Sequence, residues 1–205
     1  MNFRHEYLSS LVKELTDEII VTNVGGTQHE LFSLGDRDGN LYAVGIGLVS
    51  QVALGLAIAL PNRKIIALDG DGSLLLNLGI LPVLAQETPK NLLILVFDNG
   101  LYESGGNTAT LSASGADLAA IAGGAGIRNP KSIDSLDQFI RCLKPALQGS
   151  AFDFFVIRVK PGAVPVTPKG MSGLENKFRF MRYIEATEGK SSFSRPIRTS
   201  QKIPS

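Results

Sequence analysis

Cysteine and histidine are scarce in this sequence, and their scarcity excludes several kinds of site. The one cysteine, Cys142, has no partner for a disulfide within the chain and cannot by itself hold zinc or an iron–sulfur cluster. It lies in the helical pattern FIRCLKPAL, where a packed core residue is the expected role. The two histidines, His5 and His29, leave few candidates for imidazole acid–base chemistry.

Long apolar runs and a charge imbalance are also missing. The longest apolar segment, residues 48–60, is interrupted by Ser50 and Gln51 and is too short to cross a bilayer. The opening residues MNFRHEYLSS are charged and lack the apolar core of a signal peptide. A formal net charge of +1 gives no attraction for polyanions. We therefore expect a cytoplasmic protein that binds neither nucleic acid nor membrane.

Apolar segments alternate with helical patterns along most of the chain. Strands are predicted at residues 18–22, 42–44, 65–68, 91–98 and 154–159, with a further short strand near Gly126. Helices are predicted at residues 7–15, near Glu30, at 48–60, from Ser73 onward, and at 117–122, 135–147 and 174–184. This alternation predicts an α/β fold, a doubly wound parallel sheet with helices on both faces.

The predicted domain covers residues 1–188. At 205 residues and 44% hydrophobic content, the chain suits one domain with a full core. Residues 189–205 are polar and basic and have no periodicity. For this tail we favour disorder over an arm that lies on a partner.

The most informative stretch is residues 65–105. An apolar strand stops at Asp69-Gly70-Asp71-Gly72, and Ser73 opens the helical pattern LLLNLGILPVLAQE. Free backbone N–H groups at a helix N-terminus suit a phosphate group. Helix and following strand form one crossover, which brings Asp98-Asn99 to the same edge of the sheet. We therefore expect an anion at this edge.

Oxygen ligands accompany the expected anion. The Asp71 carboxylate, the Asn99 amide oxygen and a nearby backbone carbonyl make a hard, incomplete shell, which suits Mg²⁺ that also binds phosphate oxygens. A calcium loop starting at Asp69 is the alternative. It would need glycine and glutamate where the chain has Leu74 and Ile80. The pattern therefore predicts a diphosphate ligand with Mg²⁺.

The spacing of these residues resembles a family fingerprint. The chain has Gly-Asp-Gly, then the 26 residues 73–98, and then Asn. This spacing resembles the cofactor motif of thiamine diphosphate-dependent enzymes. The resemblance implies the diphosphate-binding domain of that fold. It also implies that Mg²⁺ is held by Asp71, Asn99 and the backbone carbonyl of Leu101, and that the cofactor contacts their neighbours Gly70, Gly72, Ser73 and Tyr102.

A second family element precedes the fingerprint. In the family, a Gly-Ser-hydrophobe-Gly turn places a hydrophobic side chain under the cofactor and holds it bent. The chain has Val44-Gly45-Ile46-Gly47, which matches at Ile46 and Gly47 and departs at the first two positions. The resemblance implies that Ile46 is the wedge and that the carbonyl of Val44 faces the aminopyrimidine. Gly45 cannot supply the contact of the missing serine.

Within the family, the chain resembles the decarboxylases of sulfopyruvate and phosphonopyruvate. The segments TNVGGTQHELFSLGDRDGNLYAV, PKNLLILVFDNG and FRFMRYIE carry the resemblance over nearly the whole chain. Two positions depart from it. His29 stands where those enzymes usually have arginine, and Asn107 replaces a glutamine after a turn that is one residue shorter.

The resemblance implies half of an active site. In the family, an activating glutamate lies on a separate pyrimidine-binding domain, for which this chain has no room. We therefore expect a subunit of a 2-oxo acid decarboxylase, completed by a pyrimidine-binding chain and homo-oligomeric when isolated. Within this chain His29 and Glu103 are the catalytic candidates. For His29 the alternative is a plain surface or helix-start residue, and Glu103 either contacts substrate or faces solvent.

Three other functions are alternatives. A carboligase similar to acetolactate synthase would have the same core site. The beta subunit of an oxo-acid:ferredoxin oxidoreductase would need cysteines that hold a cluster, and only Cys142 is present. A non-catalytic cofactor-binding scaffold would have no need of the intact pair Asp71 and Asn99.

Overall fold

The computed structural model describes residues 1–189, and they alternate between helix and strand as predicted. The helices are α1 (Arg4–Glu14), α2 (Gly26–Leu34), α3 (Val49–Ala59), α4 (Asp71–Leu75), α5 (Ile80–Glu87), α6 (Leu118–Gly124), α7 (Leu136–Gln148) and α8 (Gly173–Glu188). The strands are β1 (Ile19–Asn23), β2 (Asn40–Val44), β3 (Ile65–Gly70), β4 (Leu92–Asp98), β5 (Leu101–Tyr102), β6 (Thr108–Ala109), β7 (Lys131–Ile133) and β8 (Asp153–Arg158).

Six of the strands form one parallel sheet in the order β2-β1-β3-β4-β8-β7. From β1 the chain moves outward to β2, and from β3 it moves in the opposite direction to β4. The strand order therefore reverses between β1 and β3. In open α/β sheets, ligands bind at the carboxyl ends of the strands at such a reversal.

Helices cover both faces of the sheet, which confirms the predicted doubly wound α/β fold. On one face α1, α2 and α7 pack with the strands, and the rings of Tyr7 and Phe139 meet edge to face at 5.3 Å. Such a ring pair contributes about 0.5–1.5 kcal/mol beyond its buried area. On the other face α3, α5, α6 and α8 pack with the strands. Because both faces are covered, the central strands are continuously apolar.

The prediction of one continuous helix from Ser73 is wrong. Helix α4 begins at Asp71 and ends at Leu75, and α5 begins at Ile80. Pro82 explains the break, because a proline lacks the N–H that a helix interior needs and its ring would clash with the carbonyl four residues earlier. Gly79 adds a poor helix former at the same place. The helix beside the expected phosphate site is therefore only five residues long.

The predicted strand near Gly126 is also wrong. Gly126 follows the end of α6 with φ of 102°, a left-handed conformation that favours glycine and terminates helices. The short strand lies further along the chain, at Lys131–Ile133, where it pairs with β8 at the edge of the sheet. The beginning of α6 agrees with prediction, because the Asp117 side chain accepts hydrogen bonds from Ala119 N and Ala120 N, both at 3.0 Å.

Helix α8 packs along the open edge of the sheet at β2. Its buried Asn176 accepts a hydrogen bond from Tyr42 N at 2.7 Å and donates one to Asn40 O at 2.9 Å. This side chain pairs with edge groups that would otherwise be free to bind another strand. No helix within residues 1–189 is both long and apolar enough to traverse a membrane. The predicted disordered tail is residues 189–205, of which 190–205 lie outside the described residues.

Candidate functional site

A cleft lies at the carboxyl edge of the sheet, where the strand order reverses between β1 and β3. Its walls are formed by the loops that follow β1, β3 and β4, together with the side chains of Arg4 and Ile46. Most of the residues predicted for the site line this cleft, namely Ile46, Gly70, Asp71, Gly72, Ser73, Asn99, Leu101, Tyr102 and Glu103. The fold therefore brings the two ends of the predicted fingerprint together.

Asp71 is the most deeply buried carboxylate of the cleft, with 2% of its surface exposed. Its Oδ2 atom lies 2.6 Å from Thr110 Oγ1 and 3.0 Å from Ser112 Oγ. Burial raises the pKa of Asp71; the Thr110 hydrogen bond opposes this rise, and the nearby charge of Asp98 adds to it. No lysine or arginine in residues 1–189 forms an ion pair with Asp71 or Asp98.

The two carboxylates share the same hydroxyl groups. Ser112 Oγ lies 2.7 Å from Asp98 Oδ1 and 2.8 Å from Thr110 Oγ1, in addition to its contact with Asp71. With the Thr110 contact to Asp71, this makes four short oxygen–oxygen contacts for two hydroxyl groups, each of which carries one proton. With both carboxylates ionised, at least two of the contacts lack a hydrogen. A positive charge at this place would offset their repulsion.

The turn that follows β4 presents Asn99 and Leu101 to the cleft. Asn99 Oδ1 accepts a hydrogen bond from Leu101 N at 2.9 Å, which is a typical asparagine turn and leaves the oxygen a further lone pair. Gly100 between them has φ of 72°, which explains a glycine there. Strands β5 and β6 then form a short antiparallel hairpin that returns the chain to Thr110. The sequence predicts only a loop over this hairpin.

The predicted wedge turn is fixed to the loop after β3. Gly47 N donates to Ser73 Oγ at 2.9 Å, and Gly47 has φ of 79°. The loop is itself anchored by buried Asp69, which accepts hydrogen bonds from Ser50 Oγ at 3.0 Å and Gly70 N at 2.9 Å. Ile46, at the tip of the turn, keeps 44% of its surface exposed.

The remaining residues of the wedge motif lie outside the cleft lining. Val44, Gly45 and Gly47 are not among the residues that line the cleft in the described part of the chain. The Val44 carbonyl accepts a hydrogen bond from Val24 N at 3.2 Å, and the Gly45 carbonyl accepts one from Leu48 N at 3.0 Å. A carbonyl oxygen has two lone pairs, so each retains one for a further donor.

Tyr102 lies against the beginning of α4. A side chain at Gly72 would overlap the ring of Tyr102, so the close approach of this ring requires a glycine. Both residues line the cleft. The ring therefore forms part of its wall beside Asp71.

Arg4 and Glu30 form a buried ion pair at the cleft that the sequence interpretation missed. Arg4 Nε and Nη2 donate to the two oxygens of Glu30, each at 3.0 Å. Arg4 shares the buried side of α1 with Tyr7, Leu8 and Leu11. A charged residue within such an apolar stripe is a signal for a buried partner, because an unpaired charge there would be costly.

The two catalytic candidates have fixed partners. Glu103 lines the cleft, where its Oε2 atom accepts from Arg4 Nη1 at 3.4 Å and its Oε1 atom from Gly162 N at 2.7 Å. His29 is absent from the cleft lining within residues 1–189, and its Nδ1 atom accepts from Lys169 N at 3.0 Å. Both side chains thus hold the segment after β8 in place, a role that neither prediction included.

Comparisons with known proteins agree with the position of the cleft. Residues 38–159 match the family described as "Thiamine pyrophosphate enzyme, C-terminal TPP binding domain". A solved structure, the benzoylformate decarboxylase of Polynucleobacter necessarius, superimposes with a TM-score of 0.64 at 20% identity, over 80% of this chain and 34% of the other. At that identity the likeness concerns the fold alone.

Curated relatives are similar over most of the chain. The sulfopyruvate decarboxylase subunit beta of Methanococcus maripaludis is 37% identical over 183 residues, which are 89% of this chain and 97% of the relative. The sulfopyruvate decarboxylase of Methanosarcina acetivorans is also 37% identical, but this chain spans only 47% of its length. A phosphonopyruvate decarboxylase of Streptomyces viridochromogenes is 38% identical over 77% of this chain and 40% of its own length. This chain belongs to the thiamine pyrophosphate enzyme family and contains its C-terminal TPP-binding domain.

Proposed function

We propose that this chain is the diphosphate- and metal-binding subunit of a thiamine diphosphate-dependent 2-oxo acid decarboxylase, completed by a pyrimidine-binding chain. The observation that carries the proposal is the convergence of Asp71, Asn99 and Ile46 on one cleft at the strand reversal. Relatives of nearly the same length are named as subunits, which supports a two-chain enzyme. The proposed domain is residues 1–188, and one free cysteine suits the cytoplasm.

The residues present fit a divalent metal. Asp71 and Asp98 bring two negative charges together, two of the short oxygen contacts around them lack a hydrogen, and no basic side chain in the described residues pairs with either. Mg²⁺ prefers carboxylate, amide and carbonyl oxygens. We assign the metal to Asp71, Asn99 and the Leu101 carbonyl, so that phosphate oxygens and water complete its shell.

The cleft also fits a phosphate group. The beginnings of α2 and α4 line it with the backbone of Gly25, Gly26 and Gly72, so that backbone N–H groups border the cleft. Helix α4 is too short for a full helix dipole, so its individual N–H groups would be the donors. Asn23 lines the cleft with a buried side-chain oxygen that has no partner in residues 1–189. A guest that donates a hydrogen bond to this oxygen would remove the free-energy cost of leaving it unpaired.

The division of labour follows from these contacts. When bound, the cofactor supplies a thiazolium that accepts the electron pair released as CO₂ leaves a 2-oxo acid. This chain anchors the phosphate end, and Ile46 sets the angle between the rings. Glu103 is held by Arg4 and Gly162, which suits a fixed wall of the cleft better than a mobile proton carrier. The activating carboxylate is then expected from the partner chain.

Reconstitution tests the proposal. The full chain is purified alone and together with a pyrimidine-binding chain encoded beside it, and CO₂ release is measured with sulfopyruvate, phosphonopyruvate and pyruvate in the presence of Mg²⁺ and thiamine diphosphate. We expect turnover of one of these acids by the pair and none by this chain alone. Product analysis separates simple decarboxylation from a carboligase, which would release a joined acid instead of an aldehyde. Absence of CO₂ release from every reconstituted pair would contradict the proposal.

A further inference from the structure

We propose that Thr110, assisted by Ser112, positions the Asp71 carboxylate and thereby sets the metal affinity of the site. Neither residue belongs to the fingerprint, and neither lines the cleft among the described residues. Both contact Asp71 from outside the cleft lining. The inference rests on the proposed function, because it concerns how the proposed ligand is held.

The first observation is the contact between Thr110 and Asp71. At 2.6 Å it is the shortest of the four oxygen contacts in the cluster, so we infer that the Thr110 hydroxyl donates its hydrogen bond to Asp71 Oδ2. The second hydroxyl, of Ser112, reaches the same oxygen at 3.0 Å. Asp71 Oδ1 has no side-chain donor in the described residues. The two hydroxyl groups therefore fix one oxygen of the carboxylate, which also accepts a hydrogen bond from the Gly72 backbone, and we place the cation on Oδ1.

The second observation is that Thr110 also holds the turn that carries the other ligands. Its backbone N–H donates to Gly100 O at 2.9 Å. Gly100 lies between Asn99 and Leu101, the two remaining residues assigned to the metal. One buried residue, 2% exposed, thus connects both ligand-bearing loops: its hydroxyl fixes the first and its backbone fixes the second.

The β5–β6 hairpin explains how Thr110 reaches this place. Leu101 pairs with Ala109 and Tyr102 with Thr108, so the strand that leaves the Asn99 turn leads the chain directly back to it. Ser112 follows in a short 3₁₀ turn, where its hydroxyl lies 2.7 Å from Asp98 Oδ1. The register of this small hairpin therefore decides which hydroxyl groups meet Asp71. Groups that orient ligands from behind typically change metal affinity by about 10–100-fold when they are removed.

The test measures metal binding directly. The full-length chain is titrated with Mn²⁺ in the presence of thiamine diphosphate, and free Mn²⁺ is followed by electron paramagnetic resonance against a blank without protein. Thr110→Val keeps the shape and removes the hydroxyl, and we expect it to weaken Mn²⁺ binding about 10-fold. Ser112→Ala should weaken it less, because the Ser112 proton is shared with Asp98. Thr110→Ser restores the hydroxyl and should bind as the wild type does.

Matched controls separate positioning from a general loss of structure. Thr108→Val and Ser114→Ala alter the same hairpin and turn at exposed positions and should leave Mn²⁺ affinity unchanged. The unfolding midpoint of each variant is measured without metal, and the affinity comparison is restricted to variants that are folded at the assay temperature. A Thr110→Val protein that is folded and binds Mn²⁺ as tightly as the wild type would overturn the inference and leave the proposed function standing. A wild type that binds no Mn²⁺ would overturn both.

Discussion

The two ends of the cleft differ in how completely this chain builds them. At the Asp71 end the polar groups are buried and held by hydroxyl and backbone donors, and Asp71 itself is 2% exposed. At and beside the wedge turn three apolar side chains are largely exposed: Ile46, which lines the cleft, is 44% exposed, and its neighbours Leu48 and Leu76 are 50% and 58% exposed. The Asp71 end is therefore built from buried groups of this chain, whereas the apolar side chains at the wedge end are largely exposed. This difference agrees with the proposed two-chain enzyme, in which the partner chain would cover the exposed side chains.

The cost of the exposed end supports this interpretation. A side chain at Gly45 would touch Leu48, and one at Gly47 would touch Leu76, so both leucines flank the turn that carries Ile46. Full burial of one such side chain is worth about 1.5–3 kcal/mol. Contiguous apolar surface beside a ligand cleft is typical of an interaction site. The three side chains therefore form a surface, here called the wedge surface, that a pyrimidine-binding chain would cover.

The largest effect is expected from Asp71→Asn, which acts on the buried Asp71 end of the cleft. The change keeps the shape but removes the charge assigned to the metal, so thiamine diphosphate should lose its Mg²⁺-dependent binding by about 100-fold or more. The thermal shift caused by cofactor and Mg²⁺ together measures the loss. The unfolding temperature without ligands should not fall, because a buried charge next to Asp98 is removed. An undiminished thermal shift in the variant would remove Asp71 from the metal site.

The next effect concerns the wedge end. Ile46→Ala should leave the cofactor anchored by its phosphates, whereas the angle between its rings is no longer fixed. Because loss of orientation lowers rate, we expect turnover with the partner to fall on the order of 10–100-fold while cofactor affinity changes little. Parallel measurements of kcat and of cofactor Kd separate the effect on turnover from the effect on affinity. Val83→Ala, an equally exposed apolar position away from the cleft, is the matched control.

Equal losses of rate and affinity in Ile46→Ala would show that Ile46 only helps to hold the cofactor. No loss in either would make it an ordinary surface residue. Either result would contradict the account in which the Asp71 end anchors the cofactor and the wedge end orients its rings.

A smaller effect is expected from substitutions on the wedge surface outside the turn. Leu76→Ser should reduce self-association of the isolated chain and weaken its binding to the partner. Its effect on the free energy of unfolding should stay within about 0.5 kcal/mol, because the side chain is already exposed. Sedimentation velocity measures the association and urea denaturation the stability. If Leu76→Ser associated as strongly as the wild type did, the wedge surface would not include this position.

The smallest effect on the cleft is expected from Asp36→Asn, which is remote from both of its ends. Burial acts to raise the pKa of Asp36, but hydrogen bonds from Arg179 and Tyr42 outweigh it, and the pKa lies below its ordinary value of 3.8. A lowered pKa in the folded state means that the stabilisation is present above the unfolded value and is lost as pH falls through the folded one. The pair is partly exposed, so it contributes about 0.5–1 kcal/mol.

Urea denaturation at pH 7 and at pH 3 measures this contribution. Wild type and Asp36→Asn should differ at pH 7, and the difference should shrink as pH falls below 3.8 and the aspartate becomes protonated. Cofactor affinity should be the same in both proteins. A change in affinity would mean that α8 influences the cleft, and the simple contrast between its two ends would then be incomplete.

Long-period signals in the sequence predicted the fold well. The alternation of apolar strands with helices is a pattern of many residues, so it predicted the parallel sheet, and crossover geometry placed Asp71 beside Asn99. The points at which individual helices and strands begin and end were predicted less well. One continuous helix was predicted from Ser73 although Pro82 argues for a new start, and the strand near Gly126 was assigned where a left-handed glycine ends a helix.

The parts of the site that sequence reasoning missed depend on contacts between distant segments. A hairpin with two residues in each strand has no periodicity to detect, so nothing in the sequence indicates that Thr110 meets Asp71. Arg4 lies 99 residues before Glu103 in the chain, and only the fold brings them together. A motif can name the residues that touch a ligand, but the side chains that support them are chosen by tertiary packing.

The most direct test of the account is to locate the metal. Crystals of the chain with thiamine diphosphate and Mn²⁺ would show the ion by its anomalous scattering. The account predicts one peak at about 2.1–2.2 Å from Asp71 Oδ1, Asn99 Oδ1 and the Leu101 carbonyl oxygen, with Asp71 Oδ2 still bonded to Thr110. An ion bound elsewhere, or one bound through Asp98 without Asp71, would contradict it.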